Sequence, residues 1–193
     1  DIAVLYRANF QSFAIENALR KNSIAYRMVG GLKFYDRKEI KDILAYLKLI
    51  ANPKDDNAFR RIINYPKRSI GNVSLQKLEE YCYAENISLF DGLFRNEFLD
   101  SVSKKLRTEF ENFRDMIFGF ITCVEDTEVE ILIKELLDSI KFVDYLRENE
   151  KKEFEKKAEN INLFLEEISN SYKGIKLLEY LETNSLLSDI DKT

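Results

Sequence analysis

DDNAFRRIINYPKRSIGNVSLQKLEEYC, residues 55–82, sets two short amphipathic segments on either side of a proline and a glycine. Phe59, Ile62 and Ile63 recur at helical spacing, and that helix must end before Pro66, which has no N–H and disfavours helical backbone in the residue ahead of it. Leu75, Leu78 and Tyr81 resume the spacing, with Ser74 or Asn72 as the expected N-cap. Between them lie Lys67, Arg68, Ser69, Ile70 and Gly71, so the pattern predicts two helices joined by a short hairpin. A hairpin with a glycine lets backbone N–H groups approach a phosphate, and the N-terminus of the next helix adds partial positive charge. Lys67 and Arg68 supply full charges. Such contacts hold nucleic acid by its backbone and read no sequence. The same letters also fit an ordinary capped turn between helices, and the residues alone leave both readings open.

Working outward, the organisation changes near residue 35. Downstream, Ile40, Ile43, Leu44, Leu47 and Ile50 follow i, i+3, i+4, i+7 spacing, with Lys41 and Lys48 on the other face, until Asn52-Pro53 stops the helix. Further helices are expected at about 55–64, 73–85, 99–122, 128–138, 152–170 and 174–187. Upstream, Ile2 to Tyr6 (IAVLY) and Ala25 to Val29 (AYRMV) read as strands, the second closed by Gly30-Gly31. Ser12 to Lys21 reads as a helix between them, with Ser12 as its N-cap. The expected fold class is therefore mainly α: an all-helical domain with a helix-hairpin-helix element, preceded by a short β-α-β piece of an α/β domain. So small a strand-helix-strand unit needs a larger sheet, and the chain opens on Asp1, so a piece of a larger protein is expected.

Composition narrows the chemistry. Histidine is absent, which removes the usual general base, the Ser/His and Cys/His nucleophile systems and the commonest transition-metal ligand. Cys82 and Cys123 lie far apart without a CxxC pair, so neither a zinc site nor a disulfide framework is expected, only two buried reduced thiols. The six glycines never form GxxxxGK[ST] or GxGxxG. Acidic residues occur as solvated helix charge, as in Glu79-Glu80 and Glu166-Glu167. No catalytic residue and no metal site are expected in this chain. No apolar run approaches the roughly 20 residues of a membrane span, and no signal peptide is visible. Charge is uneven: residues 20–77 hold 14 Lys or Arg against 5 Asp or Glu, whereas residues 81–193 hold 15 against 25. A basic stretch on an otherwise acidic chain draws a polyanion to one face, although solvated helix charge gives the same count.

Leu5-Tyr6-Arg7-Ala8-Asn9 with Gln11-Ser12, Gly30 through Asp42, Ala45-Tyr46-Leu47, Asn52-Pro53 and Asn64 through Gly71 occur in the order and spacing of consecutive motifs of the UvrD/PcrA/Rep-type superfamily-one ATP-dependent DNA helicases, which the chain resembles. The match covers about the first 80 residues; beyond it only the helical pattern agrees. The resemblance implies that residues 1–34 are a partial 2A motor segment, 35–190 the helical 2B domain and 191–193 the start of the return to 2A. It implies a cytoplasmic parent that moves 3′ to 5′ on single-stranded DNA and unwinds duplex using ATP and Mg. The nucleotide motifs would lie outside this chain, which by itself would not be an enzyme. Implied partners are duplex, junction and single-stranded DNA, the remaining domains 1A, 1B and 2A, and repair or replication proteins. Arg7, Asn9 and Lys33 match positions that in relatives touch the tracked single strand. Lys67, Arg68, Ser69, Ile70 and Gly71 match the element that grips duplex, and Ser74 falls where a hydroxyl meets a phosphate. The sequence departs at Ser69, which stands where the family has glycine; if that position needs positive φ, the serine is strained. The alternative function is a regulatory surface that swings about Gly30-Gly31 and the 184–193 region and docks proteins through the acidic second half.

Overall fold

The computed structural model describes residues 2–7, 11–22 and 24–190, with side chains described through residue 184. Between helix α1 (Gln11–Lys21) and a single 3-10 turn (Phe34–Asp36), residues 24–33 form no regular element. There follow α2 (Lys38–Ala51), α3 (Asp56–Ile62), α4 (Asn72–Glu85), α5 (Leu89–Gly92), α6 (Asn96–Asp100) and α7 (Lys104–Cys123). The chain closes with α8 (Val129–Ser139), α9 (Phe142–Asn149), α10 (Phe154–Ser171) and α11 (Leu177–Ile190).

Helix α2 is the axis of the body. Its apolar residues reach nearly round the cylinder: Ile40, Ile43, Tyr46, Leu47, Leu49 and Ile50 are all buried. A helix apolar on most sides must be covered on most sides, and α3, α7, α10 and α11 all pack on it. It ends where Asn52 takes extended backbone and its N–H closes on the Lys48 carbonyl at 2.8 Å. The next helix starts at once because the Asp55 carboxylate accepts from the Ala58 N–H at 2.9 Å.

The mainly helical expectation holds, with differences that have local causes. The expected helix at 99–122 is two, α6 and α7, because the Ser103 hydroxyl accepts from the Leu106 N–H and starts a new one. Helix α9 is separated from α8 by Lys141, whose φ of +48° lies in the left-handed region. The expected strands at 2–6 and 25–29 are not formed; among the described residues there is no sheet, only an isolated bridge between Glu128 and Lys176. Ile2, Leu5 and Val29 are 95, 95 and 83 % exposed, and a lone extended run without a paired neighbour gains no ladder. Of the two cysteines Cys82 is buried and Cys123 only half-buried.

Ser12 is not an N-cap. It lies inside α1, buried, and its hydroxyl accepts from the Arg37 guanidinium at 3.1 Å. Glu16 accepts from the Phe34 N–H at 2.9 Å, Arg20 donates to Asn184 at 2.8 Å, and the Phe13 and Phe34 rings lie 3.9 Å apart. Helix α1 is thereby seated on the helical body rather than hanging beside it.

Candidate nucleic-acid interface

Residues 63–71 connect α3 to α4, and their backbone is organised from within. The Asn64 side-chain oxygen accepts from the Arg68 N–H at 2.8 Å and the Ile70 N–H at 3.3 Å, bending the chain back on itself. The Tyr65–Pro66 peptide is cis. Ile70 is buried and pins the far end of the connection to the core. Held at both ends, the segment presents Lys67, Ser69, Gly71, Asn72 and Val73 to solvent.

Lys67 and Arg68 are chemically alike but placed oppositely. Lys67 is exposed. Arg68 turns inward, where Nη1 donates to the carbonyls of Ile62 (2.9 Å), Ile63 (3.3 Å) and Pro66 (3.2 Å). Its Nη2 donates to the Tyr46 hydroxyl at 2.5 Å, and the guanidinium lies over the Phe113 ring. A planar fork with five donors suits this task as a lysine would not. In this geometry Arg68 shapes the connection, and Lys67 carries the outward charge.

The two small residues also divide. Ser69 has φ +60°, in the left-handed region where a side chain is strained. Gly71 has φ −84° and ψ 172°, ordinary extended backbone, and a Cβ built there would meet nothing within 4 Å. Nothing inside the protein requires glycine at 71; only an approach from outside would use the space. The expected caps are corrected here: Gly71 itself is the N-cap of α4, its carbonyl accepting from the Ser74 and Leu75 N–H groups at 3.0 Å each. Asn72 and Ser74 lie in the first turn, Ser74 half-buried. Without a side-chain cap, the N–H groups of Asn72 and Val73 keep donor capacity for something beyond the protein.

Of the residues matched to a tracked single strand, Arg7 and Lys33 lie outside this connection. Arg7 is exposed and its N–H donates to Gln11 at 3.1 Å. Lys33 precedes the 3-10 turn and places its ammonium 4.8 Å from the Tyr26 ring centre. Asn9 lies outside the described residues. Lys33 also lines a cleft of about 930 Å³ shared with Lys41, Lys48 and Arg61. There Lys41 pairs with Asp36 and Arg61 with Asp42, each at 2.7 Å. The residue-level reading missed Asn64, Tyr46 and Tyr65 as organisers of the connection. An asparagine two places ahead of a proline was a usable turn signal, but partners on other helices carry none.

Comparison with known proteins gives a consistent result. The family model described as UvrD-like helicase C-terminal domain matches residues 1–192. The chain is 40% identical over 195 residues to the ATP-dependent DNA helicase PcrA of Bacillus subtilis, covering 100% of this chain and 26% of that protein. It is 39% identical over 197 residues to the PcrA of Staphylococcus aureus and 40% over 197 residues to that of Staphylococcus epidermidis, covering 100% of this chain and 27% of each. The chain thus spans about a quarter of the length of the curated relatives it matches. A full-length family match and near-40% identity, on a body whose motifs run in family order, establish that this chain belongs to the UvrD-like helicase C-terminal domain family.

Proposed function

We propose that residues 35–190 form a 2B-type DNA-binding region that grips duplex or junction DNA by its backbone and orients it toward a 3′–5′ helicase motor. Residues 1–34 and 191–193 belong, on this reading, to the adjoining 2A domain. One observation carries it: Gly71 opens space that no internal contact uses, at the N-cap of a 14-residue helix and four residues from an exposed lysine. A phosphate there would meet first-turn N–H groups, the positive end of the helix and Lys67 together. Ser74 supports the same site from the first turn, Ile70 and Arg68 hold it in shape, and Ser69 sets the reversal. Arg7, Asn9 and Lys33 serve the single strand.

ATP and Mg belong to the remaining domains. Among the described residues no three His, Cys, Asp or Glu side chains are grouped to hold a metal ion, and no phosphate-cradling glycine loop is present in the sequence. Among the described residues no helix is long and apolar enough to cross a membrane.

The test is duplex binding by fluorescence anisotropy at about 50 and 200 mM salt. Wild type should bind in the micromolar range or weaker, with affinity falling as salt rises. Gly71→Val and Lys67→Ala should each weaken binding, at a cost to folding of no more than about 1 kcal/mol for the poorer N-cap. Arg68→Ala should act first on stability. Unchanged duplex binding in a folded Gly71→Val protein would leave residues 63–71 a structural turn and favour a protein-docking role for the acidic half.

A further inference from the structure

Tyr65, at the root of the hairpin, ties the basic first part of the chain to the acidic second. Its hydroxyl donates to Glu150 Oε1 at 2.6 Å. Its ring meets Phe142 and Tyr145 of α9 edge-on, with centroids 5.8 and 5.2 Å away. Its carbonyl accepts from the Tyr46 hydroxyl at 2.7 Å, the same hydroxyl that Arg68 approaches. The ammonium of Lys38 sits 3.4 Å from the ring centre and 3.8 Å from Glu150. Glu150 is itself fixed by an ion pair with Lys157, a lysine only 9 % exposed that also pairs with Glu153 at 2.9 Å. Hydroxyl and ring of this one residue are thus held by α9 and its C-cap, and the carbonyl by α2.

The protonation states suit the arrangement. Burial pushes the Glu150 carboxyl up, but hydrogen bonds from Lys157 and Tyr65 and the charge of Lys38 outweigh it and hold it below the usual carboxylate range. Burial first, and Glu150 second, push the Tyr65 phenol far above its ordinary value, so it remains a donor.

We propose that Glu150, acting through Tyr65, is a positioning residue for duplex binding: the turn between α9 and α10 sets the angle at which the hairpin meets DNA. The inference rests on the hairpin reading above and assigns a task to the acidic half. An ordinary structural contact predicts otherwise. Deleting Glu150 removes a negative charge, and by electrostatics alone that strengthens attraction to DNA. Loosening the hairpin weakens it, so the two accounts differ in sign.

The experiment uses the full chain, with a fluorescently labelled blunt duplex and a single-stranded oligonucleotide as probes and circular dichroism to confirm folding. Tyr65→Phe, which keeps the ring, and Glu150→Ala should each weaken duplex binding by about three- to tenfold, the range set by the net worth of one ordinary hydrogen bond. The double variant should be no worse than either single, because one interaction is removed in all three. Glu150→Gln keeps an acceptor for the phenol and should stay within about twofold of wild type. Single-strand binding should not move. Duplex affinity that is unchanged in Tyr65→Phe, rises in Glu150→Ala, or falls in step with single-strand affinity overturns the proposal. If Gly71→Val also leaves duplex binding intact, the hairpin reading itself fails; if Gly71→Val weakens it and Tyr65→Phe does not, only the positioning role fails.

Discussion

Ser69 and Gly71 invert the usual economy of a tight turn. The residue at positive φ carries a side chain, while the glycine two places on adopts backbone open to any residue. Converting Ser69 to Gly should relieve the left-handed strain and raise unfolding free energy by about 1 kcal/mol, part of it returned through the greater entropy of the unfolded glycine. Urea titration measures this directly, and a stability equal to or below wild type would show that the serine side chain contributes more than its strain costs. The family resemblance raised the question of Ser69, which stands where the family has glycine, since positive φ penalises any Cβ. The sequence was silent on which of Lys67 and Arg68 faces out. That depended on three carbonyls and a tyrosine hydroxyl, one of them contributed by α2.

Longer helices were legible because an apolar stripe needs several turns to show itself, and α2, α4, α7, α8, α10 and α11 all have at least 11 residues. Helices α5 and α6 have 4 and 5 residues, too few apolar positions for a period to be read, whereas the 8 residues of α9 do carry Phe142, Tyr145 and Leu146 at helical spacing. The positions of the two shorter helices follow instead from caps and close contacts. Helix α5 shows how tight these are: a Cβ on Gly92 would lie 2.3 Å from Cys82 Sγ and 2.9 Å from Leu78 Cδ1 of α4. Gly92→Ala should therefore destabilise the protein by about 1–3 kcal/mol through overpacking, read as a fall in the urea midpoint. A wild-type midpoint would mean that α5 shifts away from α4 without loss. The same contact buries Cys82, whose thiol is pushed up to about 11 by burial, so little thiolate is present at neutral pH.

At the scale of the whole molecule, buried polar side chains join segments far apart in the chain. Asn160 of α10 accepts from Arg37 and donates to Glu39, partners 123 and 121 positions away, and all three are buried. Arg20 reaches Asn184 across 164 positions, and Asn184 donates to the Tyr180 hydroxyl at 2.7 Å. Replacing Asn160 by Leu keeps the volume but takes one hydrogen-bond partner from a buried guanidinium and one from a buried carboxylate, which should cost about 2–4 kcal/mol. Chemical unfolding checks this, and a loss under about 0.5 kcal/mol would mean that Arg37 and Glu39 pair with each other once Asn160 is gone.

The sequence by itself determined the helical class, the stop at Asn52-Pro53, the turn between Ile63 and Gly71 and the basic bias of residues 20–77, because each is written in local spacing or in charge counted along the chain. Tertiary structure alone decided that α1 is clasped to α10 and α11, that Arg68 points inward while Lys67 points out, and that Tyr65 is braced by Glu150. Each of these is a contact between residues with no fixed separation in sequence. A hydrogen bond or ion pair across the fold leaves no period to read, and its existence depends on which surfaces the apolar faces have already brought together.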